Sequence, residues 1–174
     1  MYDAHMPGYL ADYADQFRQL GRDAFSRQFR RHALVGIGVV GEIVDGARGD
    51  TGTLYADHRP DIRGSVLQER VFQLAWPSDS AVRQLVVGRT TEADLTIPDY
   101  SISKRHVSVK AVGPNAAQLT DLASHNGTFL NGQRLESGQT RPLEDGDTLT
   151  LGRLMFEYRT PDGFVKYVEL YSKL

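Results

Sequence analysis

From Val66 onward, apolar and polar positions alternate in short runs. Segments such as "RQLVVG" (83–88), "HVSVKAV" (106–112), "TLTLG" (148–152) and "LMFEYRT" (154–160) carry the period of two expected of strands with one face buried. "VLQERVFQLAW", "DLTI", "AAQLTDL", "TFLNG", "QRLES" and "FVKYVELY" extend the series. Turn dipeptides punctuate it: Asn-Gly at 126–127 and 131–132, Asp-Gly at 145–146, Pro-Asp-Gly at 161–163. Many short strands with no helix between them predict a mainly β protein, an antiparallel β-sandwich. The expected division is an N-terminal helix and Gly-rich extension over 1–65, the sandwich over 66–160, and an extra C-terminal strand over 161–174 packed on the sandwich.

The first third has a different period. Leu10, Tyr13, Phe17, Leu20 and Ala24 recur at spacings of 3, 4, 3 and 4, which is a helical stripe. Acids come early (Asp12, Asp15) and bases late (Arg27, Arg30, Arg31), as the helix dipole prefers. Such an aromatic stripe must dock, either on this protein's own sheet or on a partner. The following "GIGVVG" (36–41) fits G-x-G-x-x-G, but a helix precedes it and glycines interrupt the segment after it. A dinucleotide site needs a strand before the motif and a helix after it. The expectation is a small-residue strand packed closely on a neighbour, then a loop over 45–53.

Composition narrows the function classes. Hydrophobic residues make up 40% of the 174, enough for a real core. The formal net charge of −2 gives no global field for nucleic acid or an anionic membrane, so any anion binding must be local. There is no cysteine, which removes disulfides, thiolate chemistry and Cys-based zinc sites. The longest apolar run, Ala33 to Gly41, is too short to span a bilayer, and the N-terminus lacks a basic signal-peptide region. A soluble, cytoplasmic protein without metal or cofactor is expected.

The chemistry gathers in three loops. "VGRTTEAD" carries Arg89 after Gly88, "YSISKRH" carries Ser103, Lys104 and His106, and "ASHNGTFLNG" carries His125, Asn126 and Thr128. In a sandwich, loops collect at the two ends, so these can meet on one rim. A Ser/His pair such as Ser103 and His106 also suggests nucleophilic catalysis, but no third orienting group or oxyanion loop accompanies it.

The string Gly88-Arg89, Ser103-x-x-His106, Ser124-x-Asn126-Gly127-Thr128 and Asn131-Gly132, followed by "LEDGDTLTLG", resembles the forkhead-associated (FHA) domain over about residues 66–160. The resemblance implies a non-enzymatic β-sandwich that binds phosphothreonine peptides through one loop rim. It implies that Arg89 and Ser103 hold the phosphate, with Lys104 and His125 as auxiliary donors and Asn126 on the peptide main chain. His125 equally well lines the rim without donating. Gly88, His106, Gly127, Thr128, Asn131 and Gly132 are expected to be structural, and Arg105 solvated. Ser101 and Asn131 are candidates for reading the residues that flank the phosphothreonine.

The physics of an anion clamp agrees. A phosphate near neutral pH carries about −1.5 to −2 charge and three strong acceptor oxygens. At about 1.5–3 kcal/mol for each charge-assisted bond, three or four approach the ~8 kcal/mol of micromolar binding. The expected partner is a phosphothreonine protein or peptide. The chain's own N-terminal segment, through Thr51 or Thr53, is a second candidate if a kinase modifies it. The other reading is an assembly protein that uses the sandwich as scaffold and the helix as its working surface. The oligomeric state is open on sequence alone.

Overall fold

The structure, a computed structural model, describes residues 8–40, 64–76 and 82–174. Two sheets face each other. One has seven strands in the order β1(Gly8–Tyr9), β3(Arg70–Gln73), β2(Ala33–Val39), β12(Leu154–Arg159), β11(Thr148–Leu151), β8(Thr128–Leu130), β9(Gln133–Arg134). The other has five, in the order β10(Thr140–Leu143), β7(Ala116–Asp121), β6(Val107–Gly113), β4(Gln84–Gly88), β5(Leu95–Thr96). Every pairing is antiparallel except β4 with β5, which is parallel. The mainly β sandwich expected from the alternation is therefore present, with an N-terminal helix α1(Leu10–Phe29) beside it.

Leu34, Phe72, Phe156 and Tyr158 from one sheet meet Leu85, Val87, Val109 and Leu119 from the other in the main core. The seven-stranded sheet is covered on its far side as well. There Val35 and Val71 pack with Leu10 and Phe25 of α1 and with Phe164 and Val168 of α3(Pro161–Tyr171). Burial on both faces explains why β2 reads "ALVGIGV" rather than alternating. The close packing expected of this small-residue strand is present. The short helix α2(Gly64–Leu67) lays the Leu67 carbonyl where a Cβ on Gly36 would come within 2.1 Å of it.

Three expectations are corrected. The boundary at residue 66 does not hold, because β2 lies inside the seven-stranded sheet between β3 and β12. Residues 161–174 do not form a strand. Thr160 caps α3 by accepting the Gly163 N–H (3.1 Å), Pro161 opens the first turn, and Phe164, Val165 and Val168 recur at the helical period. Thirdly, the stripe of α1 breaks at Gly21, whose φ of +74° is non-helical. The helix changes phase there, so Leu20 is exposed while Phe25 is fully buried. The loop expected over 45–53, with Thr51 and Thr53, lies outside the described residues.

Candidate functional site

The three polar loops do meet, at the end of the sandwich where β4 finishes and β6 begins. Direct bonds join them. The Arg89 N–H donates to the Ser103 carbonyl (2.9 Å), and the His125 N–H donates to Ser103 Oγ (2.9 Å). Asn126 Nδ2 donates to the Ser101 carbonyl (2.9 Å). Arg89, Ser103, His125 and Asn126 are thus brought together as expected. Lys104 and His125 are exposed on the same loops, and so is Arg105.

Close approach at Gly88 makes this geometry possible. The Lys104 carbonyl lies where a Cβ would sit only 2.0 Å from its oxygen, so the loop rests directly on the end of β4. Gly127 serves differently: its φ of +91° is a backbone state that favours glycine, in the turn after Asn126.

Below the rim, His106 ties the loops together. It is fully buried. Its Nδ1 accepts the Ser103 N–H (3.0 Å), so Nε2 carries the proton and donates to the Gly127 carbonyl (3.0 Å). Burial lowers its pKa, against the opposing pull of the Gly127 carbonyl and Asp121, and the ring stays neutral. Both ring nitrogens are committed, so His106 has no lone pair left to activate Ser103 as a nucleophile.

Two buried carboxylates, which the sequence reading missed, brace the loops. Asp121 accepts Thr128 Oγ1 (2.6 Å), Ser124 Oγ and the Ser124 N–H (3.2 Å), and so holds both flanks of His125-Asn126. Burial alone would raise its pKa, but the Ser124 and Thr128 hydroxyls outweigh that and hold it below the usual carboxylate range. Asp99, also fully buried, accepts Ser101 Oγ (2.7 Å) and pairs with Arg153 Nη2 (2.9 Å). Arg153 lies over the Tyr100 ring at 4.6 Å, and its N–H donates to Ser101 Oγ (3.0 Å). Ser101 is therefore buried with its hydroxyl occupied, which removes it as a reader of flanking residues. Asn131 is likewise engaged: its carboxamide bonds Asp147 Oδ1 and the Thr148 N–H (2.9 Å each).

On the rim itself, two donors are left over among the described residues. Arg89 Nε is buried with no hydrogen-bond partner. Ser103 Oγ accepts from His125, and its own hydrogen has no acceptor among the described residues. Lys104 and Arg105 add positive charge alongside. The chemistry of such an arrangement suits a tetrahedral oxyanion. Among the described residues no His, Cys, Asp or Glu cluster could hold a metal ion, and no helix is long and apolar enough to cross a membrane.

Fold and site together define a β-sandwich with a polar loop rim at one end. Residues 85–152 match the sequence profile of the FHA domain. The FHA domain-containing protein FhaA of Mycobacterium tuberculosis is 37% identical over 67 residues, 38% of this chain and 12% of FhaA. Nibrin of Danio rerio is 43% identical over 72 residues, 41% of this chain and 9% of nibrin. The chain thus spans only about a tenth of these relatives' lengths. A solved structure from a structural and functional analysis of phosphothreonine-dependent FHA domain interactions is 32% identical, with a TM-score of 0.44 over 53% of this chain and 85% of that one.

Proposed function

We propose that this protein is a phosphothreonine-dependent binding adaptor in Ser/Thr kinase signalling, acting in the cytoplasm and performing no chemistry of its own. The observation that carries the reading is the Arg89 guanidinium, its Nε buried without an acceptor among the described residues, on a loop whose backbone is bonded to Ser103. A buried unpaired donor is costly, and a phosphate oxygen is the acceptor that relieves it. Arg89 and Ser103 hold the phosphate, Lys104 and His125 donate from the rim, and Asn126 takes the peptide main chain. Among similar solved structures, the N-terminal FHA domain of S. cerevisiae Rad53p is in complex with a phosphothreonine peptide.

The ligand is a phosphorylated threonine of a partner protein. Thr51 or Thr53 of this chain, once phosphorylated, is a second source. The assembly reading is not favoured, because the buried side chains of α1 are spent on this chain's own sheet.

The test is titration with a degenerate phosphothreonine library, with phosphoserine and unphosphorylated versions as controls. Binding to phosphothreonine alone is expected, with Arg89→Ala weakening it about 100-fold or more through loss of two charge-assisted bonds. Equal binding of unphosphorylated peptides, or a melting curve of Arg89→Ala that collapses in parallel, would overturn the assignment.

A further inference from the structure

A second basic concavity lies at the opposite end of the sandwich. Arg83 precedes β4 and Pro114 follows β6, whereas Arg89 and Ser103 sit at the other ends of these two strands. The five residues of β4 separate Arg83 from Arg89, roughly 20 Å over six steps of extended chain. The cavity has a volume of about 430 Å³, and Arg30, Arg31, His32, Trp76, Arg83 and Pro161 are among the residues lining it. That volume lies in the range of small-ligand pockets.

The charge balance here is specific. Arg30 is neutralised by Asp162 (Nε to Oδ1, 2.8 Å), whose other oxygen accepts Asn115 Nδ2 (2.8 Å). Neither Arg31 nor Arg83 has a carboxylate partner among the described residues. The Arg83 guanidinium lies over the Trp76 ring at 5.8 Å, and the Trp76 indole N–H is committed to the Val109 carbonyl (3.1 Å). Trp76 therefore forms a fixed wall that steers Arg83. His32, at the base, has its Nδ1 2.6 Å from the Tyr158 hydroxyl and is 4% exposed. Burial first, and Arg83 second, push its pKa down to about 4, so at neutral pH the pocket's charge is carried by arginines alone.

We propose that this pocket is a second anion site, in which Arg31 and Arg83 together bind a phosphate monoester dianion. Two guanidiniums without a carboxylate partner among the described residues match its charge of about −1.5 to −2. Planar forks of donors suit its oxygens, and the Trp76 and proline walls lower the local dielectric. The site does not depend on the rim, and its occupant is either a phosphorylated side chain or a free phosphate compound.

Trp76 makes a direct test possible, because it is the only tryptophan in the chain. Its fluorescence is followed in the Arg89→Ala protein, where the rim is silenced. Inorganic phosphate is titrated against chloride at matched ionic strength. A second arm uses a short alanine-rich peptide carrying one phosphothreonine. A saturable change with phosphate is expected, weakened about tenfold or more in Arg31→Gln and in Arg83→Gln, as for a lost charge-assisted bond. Should Arg83→Gln disturb the Trp76 wall, Arg31→Gln carries the test. Tighter binding of the peptide assigns a phosphorylated side chain, and binding no tighter assigns a free phosphate compound. No saturable change, or one untouched by both arginine substitutions, would overturn the proposal.

Discussion

Replacing Gly88 by alanine tests whether the rim is built by close approach. The new Cβ would lie 2.0 Å from the Lys104 oxygen and 2.7 Å from its carbonyl carbon. An ordinary C···O contact is about 3.3 Å, so the pair must separate by roughly 1.3 Å. The β4 side cannot retreat, because Ala93 Cβ already stands 3.2 Å from the added atom. The 103–104 loop must lift instead, and the Arg89 N–H bond to the Ser103 carbonyl goes with it. Overpacking costs about 1–3 kcal/mol and the lost bond about 1 more, so a destabilisation of about 2–4 kcal/mol is expected. For a domain of this size that lowers Tm by about 5–15 °C. Ser103 leaves its place beside Arg89 at the same time, so phosphothreonine affinity should fall about tenfold or more.

The assay is calorimetric: a melt, and a titration with a phosphothreonine peptide well below the melt. Gly132→Ala is the control. Its φ is +80°, but an added Cβ meets nothing within 4 Å, so about 1–2 kcal/mol of stability should be lost with binding intact. A Gly88→Ala protein that binds with unchanged affinity would refute the reasoning, as would an equal binding loss in Gly132→Ala.

Two further predictions concern buried groups. Asp121→Asn turns one of the acceptors for Ser124 and Thr128 into a donor. It should cost about 1.5–3 kcal/mol in a urea melt and loosen the His125-Asn126 turn enough to weaken peptide binding. His32 titrates near 4 in the folded chain against about 6.5 unfolded. Below pH 6.5 the unfolded chain binds the extra proton, so stability present at pH 7 is lost as pH falls toward 4, by roughly 3 kcal/mol at most from this group. Urea midpoints at pH 7 and pH 5 should show the fall, and His32→Gln should shrink it; an unchanged slope in that variant would remove His32 as the cause.

The strands were legible where one face is wet, as in "TLTLG" and "LMFEYRT". They were hidden where that pattern fails. β10 contains Pro142 and escaped notice; proline is tolerated there because β10 is the edge of its sheet. "FVKYVELY" alternates well enough to pass for a strand, yet the Thr160-Pro161-Asp162 start is a helix signal that outranks the alternation. On the rim, the residues that face the solvent were readable because a turn does not require them. Asp99, Asp121 and Arg153 were not, since a loop carboxylate reads as solvated until the fold buries it.

The placement of β2 bears on how the chain is assembled. Its residues pair with β12, so that Ala33 lies opposite Arg159 and Val39 opposite Leu154, on the order of 120 residues apart in sequence. A contact of that span is slow to form, because the intervening loop must close before any hydrogen bond is gained. During synthesis β2 leaves the ribosome early and waits for β12, its apolar edge unpaired until almost the whole recognition loop system has been made. The five-stranded sheet that carries Arg89 and Ser103 can therefore be complete once Leu143 has been made, whereas the seven-stranded sheet on the other side of the core waits until residue 159 has emerged.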